Sequence, residues 1–312
     1  MSDPLPLEPG PPRKKSRARH LWVVGLLVYV LAIWFVGWQK LRDALAGLDV
    51  YLLLAVVGVE LTGQWLRALK WRFALGRGSR AIGLFFLSRC AGYWMPMRMG
   101  ELSPLLLKGH RTPRMGAWIV LDRILEVSVT LALGALGIIA LGIPARGIAV
   151  AMGIVALAFV VVPMFLLTRR KLFLWLAART REGSLIQRGA LFLAAIRDEM
   201  VAMRPKMPAA AAMTLAAGCL DVCVGMLTYA SFGHPLRFAV MAGAKCVHAI
   251  ACAVPFTPNA TGVPFFTSGL FLNQVGAVPA SVIAAAIGVN LALVNTVFWT
   301  SAGLASLDLR RR

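Results

Sequence analysis

A motif with two charged residues interrupts an apolar stretch of the chain between residues 92 and 111. Its core, PMRMGE, contains Pro96, Arg98, Gly100 and Glu101. Proline and glycine interrupt helices, and a charged side chain inside a membrane segment is costly and marks a candidate functional site. We predict that Arg98 and Glu101 bind or gate a charged group at the tip of a broken helix. The alternative is a shallow break that leaves both charges at the level of lipid headgroups.

A second charged cluster, VLDRILEV, occupies the first part of the apolar segment 116–142. In a helix, Asp122 and Glu126 share one face, and Arg123 reaches Glu126 at the i, i+3 spacing. We predict that these three residues line or brace a polar cavity. The alternative is an internal salt bridge that holds neighbouring helices together. The isolated Asp221 is likewise expected to pair with a neighbouring helix.

A third group of polar residues follows the helical period toward the end of an apolar run. Glu60, Gln64 and Arg67 lie along one face of the predicted helix. The residues that follow combine basic and tryptophan side chains, which are typical of a membrane interface. The predicted interfacial residues are Trp65, Arg67, Lys70, Trp71 and Arg72. Phosphate binding by Arg67 or Arg72 is the alternative interpretation.

The uncharged sequence PFTPNATG, residues 255–262, is the other place where proline and glycine interrupt an apolar run. Half-helices that end at such a break can direct backbone N–H groups at an anionic group. We therefore predict that this segment forms a second tip, with Pro258, Asn259 and Gly262 as its candidate binding residues.

The composition of the chain indicates its class. The chain has 312 residues, of which 59% are hydrophobic and 15% are charged, whereas soluble domains average about 25% charged. Several apolar runs reach the ~20 residues needed to cross a bilayer. The net charge of +20 is typical of cytoplasmic loops that face anionic headgroups. We therefore expect a multi-pass, all-α membrane protein with membrane lipids as partners and no nucleic-acid partner.

The apolar runs predict about six full crossings and two broken regions. The expected crossings are residues 20–38, 50–69, 116–142, 146–168, 208–232 and 279–303. The broken regions are residues 81–107 and 237–275, whose halves are too short to span the bilayer. Each is predicted to be a re-entrant pair, in which one helix enters the membrane and a second returns to the same side. The basic segment 169–207 is predicted to be an amphipathic helix on the cytoplasmic surface.

The distribution of Lys and Arg gives the predicted topology. Most of these residues fall in the two tails and in three loops, which places both termini in the cytoplasm. The predicted units are a disordered basic tail, residues 1–19, a single transmembrane domain, residues 20–305, and a basic tail, residues 306–312. Two halves, residues 20–142 and 146–303, repeat the order of crossings and broken pair. An odd number of crossings in each half predicts that the halves are inverted.

Four segments, in this order and spacing, resemble the lysylphosphatidylglycerol synthase transmembrane-region family, whose members are also called flippase-like domain proteins. They are RALKWRFAL at 67–75, MPMRMGELSPLLL at 95–107, VLDRILEV at 120–127 and FTPNATGVPFF at 256–266. The core from Pro96 to Glu101 is the most specific of them. The resembling features cover most of residues 20–305.

The resemblance implies an inner-membrane protein with a flippase-type fold and re-entrant helices. It also implies movement of a lipid between leaflets, with aminoacylated phospholipids and polyprenyl-linked lipids as family substrates. Some members carry a soluble aminoacyltransferase domain. This chain ends soon after its last predicted crossing, so that synthase chemistry is not expected here.

Three functions remain open at this point. The preferred one is a lipid translocase or lipid-binding transporter for an anionic, aminoacylated or polyprenyl-type lipid. The first alternative is a non-catalytic scaffold that docks a lipid-modifying enzyme or a glycosyltransferase through its basic faces. The second is an intramembrane enzyme that uses Glu101 or Asp122 as an acid or base. No enzyme motif and no metal-ligand spacing occurs in the sequence, so we expect no enzymatic activity, no cofactor and no metal.

Overall fold

The computed structural model describes residues 38–76, 80–94, 96–107, 112–142, 154, 169–252 and 263–310. Of residues 93, 94 and 96–99 only the backbone is described. The predicted crossings 20–38 and 146–168 lie outside the described residues, apart from Trp38 and Ile154. The second predicted tip, with Pro258, Asn259 and Gly262, also lies outside them.

The described residues are helical and contain no strand, which confirms the all-α prediction. The α-helices are α1 (Trp38–Ala46), α2 (Val50–Leu75), α3 (Ala81–Trp94), α4 (Pro113–Ala140), α5 (Arg170–Arg179), α6 (Leu185–Ala202), α7 (Met207–Ser231), α8 (Phe238–Ala251), α9 (Val263–Gly276) and α10 (Ala280–Arg310). Two 3-10 helices are Pro96–Leu106 and Arg204–Lys206. The first of these follows α3 and is called the return segment below.

Three of the described helices are long and apolar enough to cross a membrane. They are Val50–Leu75, Pro113–Ala140 and Arg204–Ser231, the last including the short 3-10 turn. A helix of 26 residues is ~39 Å long, which exceeds the ~30 Å of a hydrocarbon core. Shorter apolar helices are Ala81–Gly92, Phe238–Ala251 and Ala280–Leu293. The predicted membrane class is therefore supported by length and composition.

Local sequence signals fix where the long helices begin. The side chain of Asp49 accepts hydrogen bonds from the backbone N–H groups of Tyr51 at 2.8 Å and Leu52 at 3.2 Å, at the start of α2. Thr112 caps α4 by accepting from the N–H of Met115 at 3.2 Å. Pro113 occupies the first turn of α4, where its missing N–H has no helical partner to lose.

The return segment lies directly against α3. A Cβ atom on Gly100 would lie 2.0 Å from the carbonyl oxygen of Ala91, and one on Gly92 would lie 2.4 Å from Cγ of Glu101. The hydroxyl of Ser88 donates to the backbone oxygen of Glu101 at 2.9 Å. The α-helix ends at Trp94, where the sequence predicts a break. Because Gly100 has no side chain, the return segment can pack closely against Ala91 of α3.

The helices from the two predicted halves pack in a reciprocal pattern. The long helices α2 and α7 pack against each other. Helix α4 of the first half packs on α8 of the second, and α10 of the second half packs on α3 of the first, so the last helix of each half contacts the first helix of the other half's predicted broken pair. Each broken helix also packs on its own following element, α3 on the return segment and α8 on α9.

The basic segment 169–207 forms two main helices, whereas a single amphipathic helix was predicted. Gly183 adopts a left-handed φ of 74° between α5 and α6, and Ser184 caps α6 by accepting from the N–H of Gln187 at 3.2 Å. Helix α6 then packs on α4, with the buried Ile196 in their shared apolar core. The glycine and the capping serine are the physical reason for the turn.

Candidate functional site

A cavity of about 340 Å³ lies among the long helices and the broken ones. Its volume falls in the range of small-ligand pockets, roughly 300–1,000 Å³. One part of its wall is charged and is formed by Glu60, Arg67, Arg89, Glu101, Arg123, Glu126, Asp221 and Lys245. Another part is apolar and includes Leu133, Val222, Val224, Met241, Ala242, Leu272 and Ile287. The cavity is therefore amphipathic.

Glu126 is the centre of the charged part. Its carboxylate pairs with Arg89 of α3 and contacts Arg123 of its own helix at 3.3 Å. From α2, the Nε of Arg67 lies 3.5 Å away and the Nζ of Lys70 lies 4.0 Å away. Cations from three helices thus surround one carboxylate, as the internal salt-bridge alternative predicts.

Glu101 reaches this cluster from the return segment. Its carboxylate lies 3.5 Å from a guanidinium nitrogen of Arg89 and 3.4 Å from one of Arg123. The broken helix therefore contributes a charged side chain to the cavity. Of the predicted partners on this segment, Pro96 lies at the start of the 3-10 helix, and the side chain of Arg98 lies outside the described residues.

Asp122 lies behind the cavity wall and braces it. It pairs with Lys70, and the indole N–H of Trp71 donates to its carboxylate at 2.8 Å. The ammonium of Lys70 also donates to the hydroxyl of Thr214 at 3.0 Å. These contacts join α2, α4 and α7, and they give a lysine with no exposed surface both a counter-ion and a hydrogen-bond acceptor.

The predicted interfacial role is therefore wrong for Arg67, Lys70 and Trp71. All three are buried, because this part of α2 packs against α4 and α7, which carry the compensating acids. Arg72 is exposed and does not line the cavity. Trp65 is also exposed, at 51%.

Arg67 links Glu126 to a second carboxylate. Its guanidinium pairs with Asp221 of α7, which confirms that Asp221 bonds to a neighbouring helix. The side chain of Asp221 is 35% exposed and that of Arg123 is 30% exposed. These are the two most accessible members of the ion-pair network around Glu126.

Among the cavity residues that sequence reasoning did not predict as site residues are Arg89, Glu60 and Gln64. Arg89 lies in the apolar helix before the motif, and Glu60 and Gln64 precede Arg67 on α2. The sequence contained a signal for Glu60 and Gln64, because they share one helix face with Arg67 inside an apolar run, where polar side chains mark candidate functional sites. The amide nitrogen of Gln64 donates to Glu60 at 2.7 Å.

This cavity can bind a molecule that has a charged or polar part next to an apolar part. In the part of the charged wall that the structure describes there are four carboxylates, of Glu60, Glu101, Glu126 and Asp221, and four cations, of Arg67, Arg89, Arg123 and Lys245. Among the described residues, no group of three or more His, Cys, Asp and Glu side chains could hold a metal ion.

Comparison with known proteins places this site in a family context. No curated protein and no solved structure matches the chain. The family model described as the lysylphosphatidylglycerol synthase transmembrane region matches residues 22–299. This match includes all the described residues that line the cavity. The chain therefore belongs to the family of lysylphosphatidylglycerol synthase transmembrane regions.

Proposed function

We propose that the chain binds a membrane lipid in this cavity and moves it between leaflets, without catalysing a reaction. The observation that carries the proposal is the continuity of a charged wall and an apolar wall in one cavity bounded by all three long apolar helices. A lipid has the same two parts, a polar headgroup and acyl or polyprenyl chains. Membership of a membrane family named for a lipid synthase supports the same substrate class.

The headgroup contacts in this proposal are made by the accessible charged side chains. Arg123 is 30% exposed and suits a phosphate oxygen. The carboxylates of Glu101 at 3.4 Å and Glu126 at 3.3 Å hold its guanidinium in place. Binding of the headgroup need not release Arg123 from these carboxylates, because a guanidinium has several N–H donors.

The reciprocal packing of the helices supports an inverted repeat with two re-entrant pairs. Because α4 contacts α8 and α10 contacts α3, a movement of one half against the other changes both contacts together. Such a movement would open the cavity to one leaflet and then to the other. In this proposal the protein lies in the inner membrane with both termini in the cytoplasm, as the charge distribution predicts.

A second candidate function is supported by a different surface. The pair α5–α6 exposes Lys171, Arg179, Arg181 and Arg188 beside the exposed Trp175, Leu185 and Ile186. A surface that is both basic and apolar suits docking at a membrane or at a partner protein. The corresponding proposal is a scaffold for a lipid-modifying enzyme or a glycosyltransferase.

Mass spectrometry of co-purified lipids separates the two functions. We expect the wild type to enrich one lipid class over the bulk membrane, and the variants Arg123→Gln and Glu101→Gln to lose that enrichment at least several-fold. The matched control is Arg181→Gln, which removes an exposed cation of the α5–α6 turn and is expected to leave the enrichment intact. Lipid of bulk composition in every variant would overturn the translocase proposal in favour of the scaffold.

A further inference from the structure

Glu60 differs from every other carboxyl group of the cavity wall. Within the described residues, Glu101, Glu126 and Asp221 each lie within 4.0 Å of at least one arginine nitrogen, whereas no lysine or arginine nitrogen of these residues lies that close to Glu60. Glu60 is nevertheless buried, with 9% of its surface exposed. It is therefore a carboxyl group inside a candidate membrane span that faces a cavity, with no paired cation in the part of the chain that the structure describes. Such groups mark proton relays in membrane proteins.

The partner of Glu60 suits a neutral carboxylic acid. The amide nitrogen of Gln64 donates to Oε1 of Glu60 at 2.7 Å, while Oε1 of Gln64 is buried and has no hydrogen-bond partner among the described residues. A carboxylate only accepts hydrogen bonds, but a carboxylic acid also donates one. When Glu60 carries a proton, its O–H can donate to Oε1 of Gln64. The acid and the amide then exchange two hydrogen bonds, and no polar atom of the amide is left unsatisfied.

The charges that face Glu60 are shared among three helices. Arg67 lies two turns along on the same helix, Asp221 lies on α7, and Lys245 lies on α8 across the cavity. The charged wall is completed by Arg89 of α3, Arg123 and Glu126 of α4 and Glu101 of the return segment, and the titratable His248 of α8 also lines the cavity. Asp221 adds a second negative charge near Glu60. The cation paired with Asp221 is Arg67.

The charge balance of the wall links proton binding to the headgroup. With Glu60 ionised and His248 neutral, the four carboxylates and four cations that the described residues place on this wall cancel. When Glu60 takes up a proton from water on one side, an O–H bond forms and the wall carries one positive charge in excess. A phosphodiester brings one negative charge. Release of the proton to water on the other side breaks the same O–H bond and restores the balance.

We propose that Glu60 is a proton-binding site that couples the lipid movement to a proton gradient, with one proton entering the cavity for each anionic phosphodiester headgroup. The coupling rests on the translocase function proposed above. The site itself, formed by Glu60 and Gln64, stands on its geometry and can be tested separately.

The test uses the full chain in liposomes that contain fluorescently labelled phosphatidylglycerol, with dithionite added to bleach the label in the outer leaflet. A pH gradient of about one unit then supports up to about a tenfold change in the leaflet ratio of the labelled lipid, for one proton per lipid. We expect this response in the wild type and in Glu182→Gln, which neutralises an exposed acid between α5 and α6. In Glu60→Gln the leaflet ratio of the labelled lipid is expected not to respond to the gradient, whatever the rate at which this variant moves lipid.

The outcomes distinguish failure of the coupling from failure of translocation. Lipid movement that ignores the gradient in the wild type, or that responds equally in Glu60→Gln, overturns the coupling and leaves the translocase intact. If no variant moves lipid, the translocase and the coupling both fail, and infrared difference spectroscopy decides the proton site. A titrating carboxylic-acid band that is present in the wild type and missing in Glu60→Gln supports the site, and identical spectra overturn it.

Discussion

Lys70 and Asp122 form an ion pair in the protein interior, where the side chain of Lys70 is 0% exposed and that of Asp122 is 8% exposed. The pair joins α2 to α4. A buried charge that loses its partner destabilises a protein by roughly 3–5 kcal/mol. This gives a prediction about stability that does not depend on the transported lipid.

We expect Lys70→Met to lower the midpoint of thermal unfolding strongly, because the Asp122 carboxylate would remain buried without its nearest cation. Adding Asp122→Asn should recover part of the loss, since asparagine is neutral and still accepts from the indole of Trp71. Tryptophan fluorescence in detergent during heating measures both changes. Lys171→Met, on the exposed face of α5, is the control. Equal stability of the two lysine variants would contradict the ion-pair role.

Gly100→Ala should destabilise the return segment, because the added Cβ would lie 2.0 Å from the carbonyl oxygen of Ala91. Overpacking of this kind costs about 1–3 kcal/mol or more. Gly58→Ala is a matched control in α2, where an added Cβ has no neighbour within 4 Å. That control should be neutral or stabilising by up to about 1 kcal/mol. Midpoints of thermal unfolding that shift equally for the two variants would show that Gly100 is not needed for packing.

The Arg67–Asp221 pair should show energetic coupling between α2 and α7. We expect Arg67→Met to destabilise more than Asp221→Asn, because Arg67 is 9% exposed and also contacts Glu126 at 3.5 Å, whereas Asp221 is 35% exposed. A double-mutant cycle on unfolding free energies should give a coupling of about 0.5–3 kcal/mol. Additive effects of the two substitutions would show that Arg67 and Asp221 do not stabilise each other.

The predicted topology places the α5–α6 turn in the cytoplasm. In a variant whose five native cysteines are replaced by alanine, we expect Arg181→Cys to react with a membrane-impermeant thiol reagent only from the cytoplasmic side. Tyr51→Cys, at the exposed start of α2, should react only from the opposite side. Labelling of both positions from the same side would overturn the topology.

The sequence predicted the long helices well and the ion pairs only in part. Apolar runs and caps such as Asp49 are local signals, so the start of α2 and the break after Trp94 were accessible without a structure. The Arg123–Glu126 contact follows from spacing along one helix. The partners of Lys70 and Glu101 lie on other helices, and no local pattern encodes which helices become neighbours.

Lys70 shows why the interfacial interpretation failed. A basic residue beside tryptophan near a helix end has the same local pattern whether that end meets lipid headgroups or another helix with an acid. Only the packing of α2 on α4 and α7 separates the two cases. Arg72, two residues further along, is exposed, whereas Ala74 and Leu75 beyond it are buried, so exposure here depends on the face of the helix and not on the distance from its end.

The arrangement of cations around Glu126 gives the network redundancy. Arg89, Arg123 and Arg67 approach this carboxylate from three different helices, so loss of one arginine leaves two counter-charges in place. Single arginine substitutions are therefore tolerated better than the substitution of Glu126 itself, which would leave several buried cations facing one another. Natural variation at this site is expected to spare the carboxylate and the headgroup-binding Arg123, and to vary Arg67 or Arg89 one at a time.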